Sequence, residues 1–139
     1  MSELLQLTRK QLDELFAVGE SGPIPSGPAS GLAIIFPGTV VSGAIANFVR
    51  MFAWQGKSFD GQAGSLVNRI SPVGFGAIKA RVYEDASWFD GKPCIVLDYS
   101  KTSTLAWFIR DEIRAIGPRL YLGKVYFGRI PTFGFALKF

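Results

Sequence analysis

From Gly56 to Phe139 the chain is cut into short apolar and β-branched runs by turn-forming residues. The breaks fall at Asp60-Gly61, Gly74 to Gly76, Asp90-Gly91, and Gly128 to Gly134 with Pro131 inside. Runs of this length need partners across tight reversals, and an antiparallel meander supplies them. The clearest hairpin is AIKARVYEDASW followed by FDGK and PCIVLDYS. Its Asp90-Gly91 pair tolerates the positive backbone φ that a tight reversal demands. Two further strands are expected at Arg119–Phe127 and Thr132–Phe139. The fold class is therefore mainly β (α+β), an antiparallel β-meander or small β-barrel with a short N-terminal helix and one or two inserted helices.

The N-terminal helix rests on Leu12, Leu15 and Phe16 at helical spacing, with Thr8 and Gln11 placed for a capping box and Gly19 for a stop. The stretch GESGPIPSGPASG then reads as a loop, so residues 1–30 form a helix and a Gly/Pro-rich lead into the β-rich body of a single domain, 1–139. No Gly-Lys-Ser/Thr follows it, which argues against a phosphate loop. Gly31–Phe36 reads as a strand. Thr39 can cap a second helix, whose face is Val41, Ala44, Ile45, Phe48, Val49 and Phe52 and which ends near Trp54. Arg50 interrupts this stretch and its length falls short of a membrane span. A third helix is expected where Leu105, Phe108, Ile109, Ile113 and Ile116 share a face, with Thr102 or Ser103 as cap and Gly117-Pro118 as stop.

Composition removes several chemistries. The chain has no histidine, which excludes Ser-His-Asp triads and histidine metal sites. Its one cysteine, Cys94, lies in the apolar run Cys94-Ile95-Val96-Leu97 and reads as a buried, inert thiol. No metal site and no cofactor is expected. The 15 Lys and Arg against 11 Asp and Glu are spread along the chain rather than clustered, so no nucleic-acid footprint is read. The N-terminus lacks the basic start and unbroken apolar stretch of a secretion signal, and a cytoplasmic protein is the expectation.

Candidate functional residues come from parity. On one expected strand Lys79, Arg81, Tyr83 and Asp85 share a face; on its partner Asp98 and Ser100 share one with Cys94 and Val96, while Tyr99 sides with Ile95 and Leu97. In an open sheet the charged face meets solvent; in a closed barrel it can meet the lumen, where basic and phenolic groups would fix the head of an apolar ligand. Arg110 and Arg114, four apart on the expected helix, either belong to a solvated helical face or stack to grip a carboxylate or phosphate.

The order of parts, with Trp54-Gln-Gly-Lys-Ser-Phe near the start of the meander and Leu120-Tyr121-Leu-Gly near its end, resembles calycin-type barrels, the lipocalin and fatty-acid-binding group. The lipocalin Gly-x-Trp signature is absent as such, and the inserted helices depart from that plan. What the resemblance implies is a cavity for a small apolar molecule.

The leading expectation is binding of a small apolar or aromatic molecule with an anionic head in a β-barrel cavity. Lys79, Arg81, Tyr83, Arg110, Arg114, Trp54 and Tyr121 are its candidate ligand-binding residues. A cofactor-free isomerase, cyclase or lyase would instead use Asp98 and Tyr99 for acid-base work. A protein-interaction module would dock through the uncharged Ser21–Val49 stretch or the aromatic end at Tyr126, Phe127 and Phe133. The residues leave carrier and enzyme both open, and a homodimer is compatible with all three.

Overall fold

The computed structural model describes residues 1–35, 57–62, 64–68, 78–101 and 107–139, with the backbone alone at 57, 58, 66–68, 78 and 79. A short 3-10 turn (Ser2–Gln6) leads into helix α1 (Arg9–Val18), and among the described residues eight strands follow: β1 (Gly27–Ile34), β2 (Lys57–Asp60), β3 (Ser65–Asn68), β4 (Ile78–Ala86), β5 (Pro93–Asp98), β6 (Ile109–Gly117), β7 (Leu120–Phe127) and β8 (Ile130–Lys138). All neighbours are antiparallel, and the sheet closes because β1 serves two partners. Its first residues, Gly27–Ala29, pair with β2, and Ser30–Ile34 pair with β8. Closure satisfies both edges of the sheet.

Alternation along each strand builds two cores. Inward residues include Val82, Ile95, Leu97, Ile113, Val125, Phe133, Phe135 and Leu137, which fill the barrel. On the outer wall Ile34, Leu122 and Ala136 are covered by Leu12 and Phe16 of α1 and by Leu4 of the 3-10 turn. The capping box of α1 is present: Gln11 N–H donates to Thr8 Oγ1, and Thr8 N–H donates to Gln11 Oε1. Gly19 ends the helix, as expected.

The hairpin expected around Asp90-Gly91 forms between β4 and β5, with Gly91 at φ 76°. β7 and β8 lie where the last two strands were expected. β1 begins at Gly27, inside the stretch read as loop, because its first residues close the barrel against β2.

The larger correction concerns Ile109–Gly117, expected as a helix and found as a strand paired on both sides. Ile109 and Ile113 are four apart, a spacing that fits a period of two as well as 3.6. Ile109 and Ile113 do point the same way, into the barrel. Ile116 does not join them: it packs with the outer cluster beneath α1. The second expected helix, with Trp54, lies outside the described residues.

Candidate functional site

The outer wall of β4, β5 and β6 is where the polar residues gather. The turn from Ser87 to Lys92 folds back over β6 because two buried side chains hold it there. Glu112 is fully buried and accepts from Ser87 Oγ (2.6 Å), Trp88 N–H (2.8 Å) and Arg110 Nη2 (2.9 Å). Arg114, 1% exposed, donates two bonds of 2.7 Å to the Asp90 carboxylate and others to the carbonyls of Phe16, Lys92 and Pro93.

These anchors set Trp88 on the wall, where two guanidinium groups approach its ring. Arg110 Cζ lies 4.2 Å from the centre of its ring and Arg129 Cζ 4.6 Å. Such stacking is favourable for each cation without consuming its hydrogen-bond donors. Arg110 spends its donors on Glu112 and the Ala86 carbonyl. Arg129 makes no ion pair among the described residues.

Beside Trp88 runs a groove of about 510 Å³ whose walls include Tyr83, Asp98, Trp107, Phe108, Arg110 and Arg129. Tyr83 Oη donates to Asp98 Oδ2 at 2.9 Å, and Ser100 donates to Asp98 Oδ1 through both N–H and Oγ. Burial and the Asp98 bond push the Tyr83 phenol up to about 12. Burial alone would raise the Asp98 carboxyl, but the Ser100 and Tyr83 bonds and the charge of Arg81 hold it below its ordinary value. Near neutral pH the pair is a phenol and a carboxylate, and neither is poised to exchange a proton. Across Trp88 a second cleft, of about 410 Å³, is bordered by Phe89, Tyr126 and Lys124. Lys124 is ion-paired with Asp13 and stacks 4.2 Å from the Phe89 ring centre.

Because its carboxyl is depressed on folding, Asp98 contributes stability that is fully present above the ordinary carboxylate pKa of about 3.9 and is lost as pH falls through its lower folded value. Urea midpoints of the wild type should exceed those of Asp98→Asn at pH 7, and the gap should close below about pH 4. A gap independent of pH between 7 and 2 would contradict this.

The expected site residues are divided by the barrel wall. Asp98 faces the groove, whereas Tyr99 is fully buried inside and donates from Oη to Asp111 Oδ2 at 3.2 Å. The two therefore address different spaces. Tyr83, Asp98 and Arg110 do converge on the groove; Arg81 is exposed on the same wall with its guanidinium 5.7 Å from the Tyr83 ring centre. Tyr121 points inward and donates to the Pro23 carbonyl. Arg114 shares a face with Arg110, but on a strand four residues span about 13 Å. It is committed to Asp90, so the two cations do not stack. Lys79 pairs through its backbone with Val67, its side chain lying outside the described residues, as does Trp54.

The sequence reading missed Trp88, Arg129 and Trp107. The available signal was two large aromatics, Trp88 and Phe89, in a turn that chemistry would otherwise fill with small polar residues. Cys94 is buried as expected, its thiol pushed up to about 12 by burial and by the charge of Glu112. Among the described residues no group of His, Cys, Asp and Glu is placed to hold a metal ion, and no helix is long and apolar enough to cross a membrane.

Fold and site together define a small closed antiparallel β-barrel with an aromatic, cation-bearing groove on its wall. The chain matches no family model and no curated protein. It is similar to a solved structure described as a protein from Thermomonospora curvata, with a TM-score of 0.60 and 21% identity over 95% of this chain and 87% of that one. The likeness is one of fold.

Proposed function

We propose that the protein binds a small apolar or aromatic molecule carrying an anionic group, and that the anion is held at the wall groove beside Trp88. The observation that carries this reading is the Trp88 ring with both Arg110 and Arg129 against it, the Arg129 donors uncommitted to any carboxylate among the described residues. Trp107 and Phe108 offer flat apolar surface in the same groove, and its size suits a small ligand. The calycin resemblance implies a lumenal ligand. The polar residues expected to fix its head, however, include Tyr83 and Arg110 on the wall, which favours the groove. Binding is preferred over acid-base catalysis because the Tyr83 and Asp98 protonation states are held fixed around neutrality.

Anilinonaphthalene sulfonate, an aromatic anion, is a suitable probe. Titration followed by fluorescence should show saturable binding that weakens about tenfold or more in Arg129→Ala, since a charge-assisted bond is lost. Unchanged affinity in Arg129→Ala, together with weakening in Tyr99→Phe, would place the probe in the lumen and overturn the groove reading.

A further inference from the structure

We propose that one end of the barrel, the rim bearing Trp107 and Ile130, docks on an anionic lipid surface. In an antiparallel barrel successive connections alternate between the two ends. Those joining β1 to β2, β3 to β4, β5 to β6 and β7 to β8 all leave from this rim. Their described residues are Ile35, 99–101, 107–108 and 128–129. Among these the charged residues are Lys101 and Arg129, with no Asp or Glu. All 11 acidic residues of the chain lie on strands, at the opposite end or in the N-terminal segment.

Described side chains at this rim have the matching apolar character. Ile130 is 69% exposed, Trp107 61%, Ile35 46% and Phe108 36%. They are not loosely held: Trp107 meets Phe108 edge-on at 5.7 Å, and Phe108 meets Phe127 edge-on at 5.4 Å. Gly128 N–H donates to the Phe108 carbonyl at 2.8 Å, which fixes the Arg129-bearing turn against them. Asp98, whose carboxylate shares the groove with Trp107 and Arg129, is turned onto the wall and bonded by Tyr83 and Ser100. An ordered set of aromatic and aliphatic side chains beside Lys101 and Arg129, with Asp98 held by its own partners, is what a phosphate-bearing lipid interface accommodates. Tryptophan settles at headgroup depth, aliphatic groups enter the acyl boundary, and Lys and Arg meet the phosphates. Charge argues against a second copy as the occupant, because two such rims face to face would oppose cations with no anion to pair them.

The test is cosedimentation of the full chain with vesicles of phosphatidylcholine containing phosphatidylserine, against phosphatidylcholine alone. Binding should require the anionic lipid and fall as salt rises. Ile130→Glu and Trp107→Glu, both at exposed positions, should each reduce partitioning at least tenfold, and Lys101→Ala about fivefold. Circular dichroism checks that the variants fold. Ile130→Glu should leave sulfonate-probe binding intact, so failure here is separable from failure of the groove reading. Absence of vesicle binding, equal partitioning of wild type and Ile130→Glu, or a rim that instead drives dimerisation or binds RNA would each overturn the proposal.

Discussion

Replacing Arg114 by alanine is expected to destabilise the protein by about 3–5 kcal/mol, lowering Tm by on the order of 10–20 °C. The side chain is 1% exposed, yet every direction of its guanidinium is answered. Asp90 takes both arms of the fork, three backbone carbonyls take the other bonds, and the Phe16 ring centre lies 4.5 Å beneath. Its removal leaves the Asp90 carboxylate without the partner that holds its pKa below the ordinary value, and opens a void under the turn. It also disconnects three parts of the chain far apart in sequence: α1, the β4–β5 turn and β6. Arg114→Lys should recover only part of the loss, since an ammonium cannot reproduce the planar fork. Asp90→Asn should cost less than Arg114→Ala, and the double substitution should cost less than the two added. Urea denaturation of the set measures this; a loss under about 1 kcal/mol for Arg114→Ala would mean that the buried cluster does not hold the turn. Because Trp88 sits in that turn, Arg114→Ala should also weaken sulfonate-probe binding at the groove.

What could be read from sequence follows from how local each signal is. The capping box at Thr8 and Gln11 depends on residues three apart, and the Asp90-Gly91 reversal on a local backbone need, so both were legible. So were β7 and β8, where large apolar residues alternate between turns. The segment Ile109–Gly117 was not, because its isoleucines satisfy helical and strand spacing at once. Pairing with β5 and β7 decides the matter, and pairing is non-local. Asp111 and Glu112, adjacent and both fully buried, are the clearer clue in retrospect: on a strand they face opposite sides, one toward Tyr99 in the lumen and one toward the turn. On a helix no such division arises. The same parity separates Asp98 from Tyr99. Parity put Asp98 and Tyr99 on opposite faces, but the choice of inward or outward face depended on closure of the barrel. The groove itself was illegible because Trp88, Arg110 and Arg129 come from a turn, a strand and another turn.

Gly123→Ala is expected to destabilise the barrel by about 2–3 kcal/mol, a large effect for one methyl group. Gly123 and Phe135 are cross-strand partners on β7 and β8, and the fully buried Phe135 ring lies flat over the glycine. A Cβ at Gly123 would overlap Phe135 Cζ and Cε1, well inside contact distance. The ring would have to move, yet it is packed among other inward side chains of the barrel and has no solvent to swing into. The glycine is thus required by close approach rather than by backbone φ, an arrangement in which an aromatic ring covers the glycine across a strand pair. If that is the cause, shortening the ring should relieve it. Phe135→Leu alone should destabilise by leaving a void, but in the Gly123→Ala background it should cost much less, giving a coupling of about 1–2 kcal/mol in a double-mutant cycle. Additive losses would show that the clash is absorbed elsewhere. A measured coupling would also bear on where a ligand can lie: Phe135 would then be a fixed plug on the β7–β8 side of the lumen, and a ligand would have to bind on the wall or displace it.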